Sequence, residues 1–225
     1  MGLDRSAPRA RSRGEATGLK LVPALQGERR ASVEAFIRRR FAERYQAKVR
    51  HFMPRLLGLE AGDASLHGAV GYRSAGEFPL FLERYLDLAI EQAIGQRFGR
   101  TVARDEIVEV GNLAAAGVGT ARRLIVALTE LLAAEGFRWV AFTGTATLLN
   151  SFLRLGLSPC VIGLADPARV GDELPDWGTY YDDGPQVMVG EILGGQQRLS
   201  KLGVYGRPEG QVWFDSMEVS DVACH

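Results

Sequence analysis

The stretch AAAGVGTARRL, residues 114–124, lies between IVEVGNL, which reads as a strand, and IVALTELLAA, which reads as a helix. It constrains the fold more than any other segment. A second strand, FRWVAFTGT (137–145), follows the helix. Strand, helix and strand in succession make a crossover, and a crossover joins parallel strands. The loop that opens the helix is stripped of bulk, which leaves two readings. Gly117 and Gly119 make a tight turn from strand to helix. Alternatively, the backbone amides of Gly117, Val118, Gly119, Thr120 and Ala121 face an anion at the helix N-terminus, with Arg122 adding a salt bridge at its edge. The loop does not follow the first strand and lacks the G-x-G-x-x-G spacing, so it is not a dinucleotide fingerprint. No Gly-Lys-Ser/Thr follows, so it is not a Walker loop.

Around this centre the periodicity predicts a regular order. LKLVPAL (19–25) reads as a first strand. A helix over 32–49 places Val33, Phe36, Ile37, Phe41 and Tyr45 on one face. PRLLGLEAG and HGAVGYRSA read as a hairpin closed by Gly62 and Asp63. After Pro79 a single amphipathic helix is expected over 80–98, with Leu82, Leu86, Ala89 and Ala93 as its stripe. TLLNSFLRLG reads as a helix ended by Gly156 in the left-handed region. LSPCVIGLADP is a late strand, GDELPDWGTYYDDGP a polar loop and QVMVGEIL a last strand. The order β-α-β-β-α-β-α-β-α-β-(β) predicts an α/β protein, a three-layer arrangement with a mixed sheet flanked by helices. The expected divisions are a disordered tail over 1–17, one domain over 18–193, and a patternless extension or hairpin over 194–225.

Composition excludes several classes. Lys plus Arg and Asp plus Glu both number 27, so the formal net charge is zero. That argues against nucleic acid as a partner and against attraction to anionic lipid. Cys160 and Cys224 read as reduced thiols, and no Cys/His spacing suggests a metal. The N-terminus is rich in arginine without an apolar core, so it is no secretory signal. LIVALTELLAA, the longest apolar run, is too short to span a bilayer. The expected location is the cytoplasm.

The element order and the run Gly119-Thr-Ala121-Arg122-Arg-Leu124 resemble the pyrophosphate loop of GNAT acyltransferases, with its pattern Arg/Gln-x-x-Gly-x-Gly/Ala. Gly119 and Ala121 match the last two places, and Ala116 stands where Arg or Gln is usual. IVEVGNLA, GTARRLI, WVAFTGTATLLNSFLRLGL and WGTYYDDGPQV together resemble the thermostable hemolysin family, from about Leu21 to Gly190. IVEVGNLA is also similar to the fourth strand of acyl-homoserine lactone synthases, where a Glu stands three places before an Arg. The corresponding residues here are Glu109 and Asn112.

The resemblance implies a GNAT-like fold. It also implies a donor that is acyl-CoA or an acyl-phosphopantetheine on an acyl carrier protein, a small-molecule amine acceptor, and no metal. Glu109 is either a residue on a solvated or edge face or a general base with a pKa raised by burial. Asn112 differs from Glu109 in parity, so a β-bulge at Val110–Gly111 is expected to bring both to one side. Asn150 and Arg154, one helical turn apart, are either helix surface or contacts to the cofactor. Phe152 falls where the GNAT helix carries a tyrosine that protonates the departing thiolate. Glu83 is a candidate substrate contact or one half of a surface salt bridge. Trp177, Tyr180 and Tyr181 either pack or wall a substrate cleft. Three functions follow: an N-acyltransferase, a membrane-lytic protein as the family name suggests, and a non-catalytic binding module on the same fold.

Overall fold

A computed structural model describes residues 18–203 and 213–214. The elements are β1 (Lys20–Pro23), α1 (Gly27–Tyr45), β2 (Arg55–Glu60), β3 (Leu66–Ser74), α2 (Ile90–Phe98), β4 (Ile107–Ala115), α3 (Val118–Ala134), β5 (Trp139–Gly144), α4 (Ala146–Arg154), β6 (Cys160–Leu164), β7 (Gln186–Glu191), α5 (Ile192–Lys201) and β8 (Trp213–Phe214). The sheet runs β6-β7-β5-β4-β3-β2-β1-β8. Its pairs are antiparallel except β4 with β5 and β1 with β8. The expected hairpin is β2–β3 and the expected crossover is β4-α3-β5.

Alternation along the strands assigns the two faces. Val70, Tyr72, Val108, Val110 and Phe142 point to one face, where they meet Leu124, Leu128 and Leu132 of α3. Each of those leucines contributes roughly 1.5–3 kcal/mol by leaving water. Phe152 of α4 packs on the same cluster, and Leu199 of α5 packs on Ile125 and Val126 of α3. On the other face α1 covers Ala69 and Ala114 through Val33, Phe36 and Ile37. Beside it, Ile90 and Ile94 of α2 pack on Ile107, Trp139, Val187 and Val189. The result is the three-layer arrangement that the element order predicts.

Local chemistry sets the ends of the elements. Ion pairs from Glu34 to Arg30 and Arg38 line one side of α1. The helix stops where Gln46 turns left-handed at φ 57° and its amide donates to Ala42. Gly156 closes α4 at φ 70°. Its amide donates to Leu153 and that of Leu157 to Phe152, the double bond pattern of a glycine-capped helix end.

Three expectations change. The single helix over 80–98 is instead a 3-10 turn at Phe81–Tyr85 and the separate α2, with Leu86 extended between them. Buried carboxylates cause the break. Glu109 accepts from the amides of Phe81 and Leu82, and Glu83 from those of Leu80 and Ile90. The expected boundary at 193 falls inside α5, which starts directly after β7 and packs on α3. The bulge expected at Val110–Gly111 is absent, and β4 bulges at another place. Pairing of β3 with β4 is unbroken through Gly71↔Gly111 and resumes at Ala69↔Ala114, so the extra residue is at Asn112–Leu113, opposite Val70. Asn112 sits there at φ 53°, a left-handed value that asparagine tolerates better than most residues. The expected tail over 1–17 and most of the segment after 203 lie outside the described residues.

Candidate functional site

Registered pairing between β4 and β5 ends at Val110↔Phe142. Beyond it β4 continues beside β3 and β5 continues beside β7. The two parallel strands therefore part, and the sheet opens between Gly111–Ala115 and Thr143–Gly144. A cavity of about 840 Å³ occupies this gap and extends to both faces of the sheet. On the α3 side its walls are apolar and include Ile125, Leu128, Phe142, Leu148 and Phe152. On the other side they include Tyr45, Met53, Arg73, Glu109, Trp177 and Tyr180.

The loop of residues 116–119 stands at one end of the gap. Gly117 is the residue before α3, in extended backbone at φ −172° and ψ 171°, and no side chain caps the helix there. The Ala121 amide is already spent on the Gly117 carbonyl at 3.0 Å. Among the described residues, the amides of Val118, Gly119 and Thr120 have no protein acceptor. A Cβ built on Gly117 or Gly119 would meet nothing within 4 Å, so no neighbouring side chain crowds these two glycines. Gly117, Val118 and Ala121 line the cavity; Gly119, Thr120 and Arg122 do not. Arg40 of α1 also lines it and donates to the Ala115 carbonyl at 3.1 Å.

Glu109 is 3% exposed, although it lies in the middle of the sheet. One carboxylate oxygen accepts from the Leu82 amide at 3.0 Å and the other from Phe81 at 2.9 Å. The guanidinium of Arg73, its direct cross-strand partner, lies 3.2 Å from the same oxygen as Phe81. Burial pushes the carboxyl pKa up, and Arg73 and the two amides act against that push. A carboxylate has about four lone-pair positions. Three donors already converge on Glu109, and two of them tie it to the start of the 81–85 turn.

The bulge brings Asn112 to the same face as Glu109. Its Oδ1 accepts from the Met53 amide at 2.8 Å. Arg73 in turn donates to Met53 Sδ at 3.0 Å. Asn112 and Arg73 together hold the segment between α1 and β2 against the gap.

Other expected site residues fall elsewhere. Glu83 does not line the cavity. Arg104 clamps both its oxygens at 2.6 and 2.7 Å, and this bonding holds its pKa down at about 2. Asn150 and Arg154 are exposed on α4 and also lie outside the cavity, because the helical turn they share faces solvent. Trp177 and Tyr180 line it, while Tyr181 stands behind with its hydroxyl 2.6 Å from that of Tyr85. Phe152 stacks on Phe142 at 4.9 Å, so no acidic side chain occupies that position. Tyr180 donates weakly to the Thr143 carbonyl at 3.4 Å, and burial raises its pKa well above the usual phenol range.

Arg73, Arg40 and the whole of α5 are not singled out by the sequence pattern, and Met53 reads from it only as an isolated core residue. A charged residue inside the otherwise apolar HGAVGYRSA was the available signal for Arg73. The others come together only through tertiary packing.

A family model described as thermostable hemolysin matches residues 24–196. The chain belongs to the thermostable hemolysin family. No curated protein matches this hemolysin-family chain. Solved structures do match it. One is a CoA-dependent acyl-homoserine lactone synthase, BjaI, with SAM and isopentyl-CoA, at 15% identity and a TM-score of 0.59, covering 90% of this chain and 96% of that one. Another is FeeM, an N-acyl amino acid synthase from uncultured soil microbes, at 15% and 0.52, covering 82% and 97%. A third is the AHL synthase LasI, at 10% and 0.52, covering 77% and 89%. At such identities the likeness shows the fold, which is GNAT-like. Among the described residues no helix is long and apolar enough to cross a membrane, and no group of His, Cys, Asp or Glu is placed to hold a metal ion.

Proposed function

We propose that this hemolysin-family chain is an N-acyltransferase. It moves an acyl group from a thioester of coenzyme A, or of the phosphopantetheine of an acyl carrier protein, to a small amine. One observation carries this reading: the parting of β4 from β5, with a cavity in the gap and unpaired helix amides at its end. FeeM and BjaI, whose names state acyl transfer to amino acid and to lactone products, share the fold and support it.

In this reading the donor phosphate meets the amides of Val118, Gly119 and Thr120. The pantetheine arm lies along β4 beyond Val110, where β5 no longer pairs with that edge. A backbone N–H of that open edge receives the oxyanion as the amine attacks the thioester carbonyl. The new C–N bond forms, the C–S bond breaks, and the amine proton ends on the thiolate sulfur, directly or through water. Phe152 supplies no proton. Glu109 and Arg73 are positioning residues, and the amine arrives as its free base.

Native mass spectrometry after incubation with a mixture of acyl thioesters and amines tests the reading. Bound thioester and an amine heavier by one acyl group are expected. Absence of both refutes it. The family description also raises membrane lysis. An N-acylated amine is itself an amphiphile, so dye release from liposomes should require donor and acceptor together. Release by the protein alone would favour direct lysis.

A further inference from the structure

We infer that α5 sets the length of the acyl chain through Gly195, the second of its two adjacent glycines. The inference rests on the acyltransferase reading above. The apolar part of the cavity runs beneath α3, past Ile125, Leu128 and Leu132, and beside Phe152 of α4. It extends to α5, where Gly194, Gly195 and Arg198 join its lining. Along α3 the lining extends from Ala121 to Leu132. That is about 16 Å of helix axis, comparable to an extended chain of roughly a dozen carbons.

An unfilled slot of this kind leaves its walls short of dispersion contacts, which an apolar occupant would restore. Its apolar walls exclude a polar occupant, because a buried group without partners is costly. A saturated acyl tail has the matching chemistry. An acetyl group would leave most of the slot empty.

The end of the slot is built from missing side chains. A Cβ on Gly195 would sit in ordinary contact, 3.5 Å from Leu157 and 3.9 Å from Thr129 Cγ2. A longer side chain there would project into the space between α3 and the 155–157 turn. Neither glycine needs a left-handed backbone. Gly194 is exposed and a Cβ on it would lie 3.4 Å from Glu191 Oε2, so Gly195 is the one of the pair that faces the slot, where a methyl fits and a longer side chain would intrude. Arg198, exposed, lines the same end of the cavity beside Gly156.

The test compares kcat/KM for hexanoyl-CoA and dodecanoyl-CoA with one amine, together with native mass spectrometry of each complex. Wild type should favour dodecanoyl-CoA. Gly195→Leu should lower the dodecanoyl-to-hexanoyl ratio. Each methylene shut out of the slot costs about fourfold in binding, so three cost on the order of fiftyfold. Gly195→Ala should change the ratio by less than about fourfold. Thermal unfolding of both variants establishes that they fold. An unchanged ratio in folded Gly195→Leu overturns the inference and leaves the acyltransferase reading standing, as does a wild type indifferent to chain length. Failure to bind any thioester removes both.

Discussion

Replacing Glu83 with glutamine separates a structural role for this carboxylate from a role in substrate binding. Glu83 holds Arg104 with both oxygens and accepts from the amides of Leu80 and Ile90. Its pKa falls from 4.5 to about 2, with the Arg104 bond as the largest cause. Taken whole, that difference is ~3 kcal/mol of stability. The side chain is 20% exposed and Arg104 32%, so solvent screening brings the contribution to about 1.5–2 kcal/mol. For a domain of this size that is roughly 3–8 °C in Tm. The sign follows from the depressed pKa. The contribution is complete above the unfolded-state value of 4.5 and is lost as pH falls towards 2. Urea unfolding of wild type and Glu83→Gln between pH 7 and pH 3 measures it. The difference should fall by more than half between pH 5 and pH 3. A difference that stays constant over this range, or is absent at pH 7, refutes the reasoning. A variant of full stability that loses acceptor affinity would return Glu83 to the substrate site.

Arg73→Met should destabilise the protein by about 3–5 kcal/mol at pH 7, because it strands the buried Glu109 carboxylate. Adding Glu109→Gln should restore part of the loss, and a double-mutant cycle in urea reads the coupling; strict additivity would argue against the pair. Asn112→Ala removes the acceptor for the Met53 amide and places a less tolerant residue at positive φ, so about 1–3 kcal/mol is lost. Hydrogen exchange at Met53 should speed up more than exchange in α3. If the acceptor amine binds as free base, kcat/KM should rise with pH and level off near the pKa of that amine. A plateau that stays at one pH when the amine is changed would point instead to a protein base.

The sequence carried the architecture further than the site. Strand alternation, the capping glycine at 156 and the small-residue loop at 114–124 are local signals, and each marks an element present in the structure. The break at Leu86–Ala89 was not legible. Its apolar spacing suits a helix, and the amides of the shorter turn are compensated by Glu83 within the segment and by Glu109 from β4. The bulge expected at Val110–Gly111 from the parity of Glu109 and Asn112 is not there, because the ladder runs unbroken through Gly111; a different one lies at Asn112–Leu113. That position was not legible, because it depends on the Met53 amide, 59 residues away in the chain. Residues 192–201 escaped because Gly194 and Gly195 weaken the helical signal, and packing on α3 overrides it. Asn150 and Arg154 share a helical face as expected, but spacing alone does not tell which face is inward.

The parting of β4 from β5 also bears on how the chain can assemble. Once β5 leaves β4, residues Thr143 and Gly144 have β7 as their neighbour. β7 comes late in the chain and inserts between β5 and β6, both made before it. A ribosome that has released residues up to 185 has therefore produced one wall of the gap without its support, and an edge at β6 with nowhere to dock. The opening that receives ligand exists only after β7 has slotted in, so a chain cut short before that strand should expose sticky, half-built sheet to chaperones or proteases.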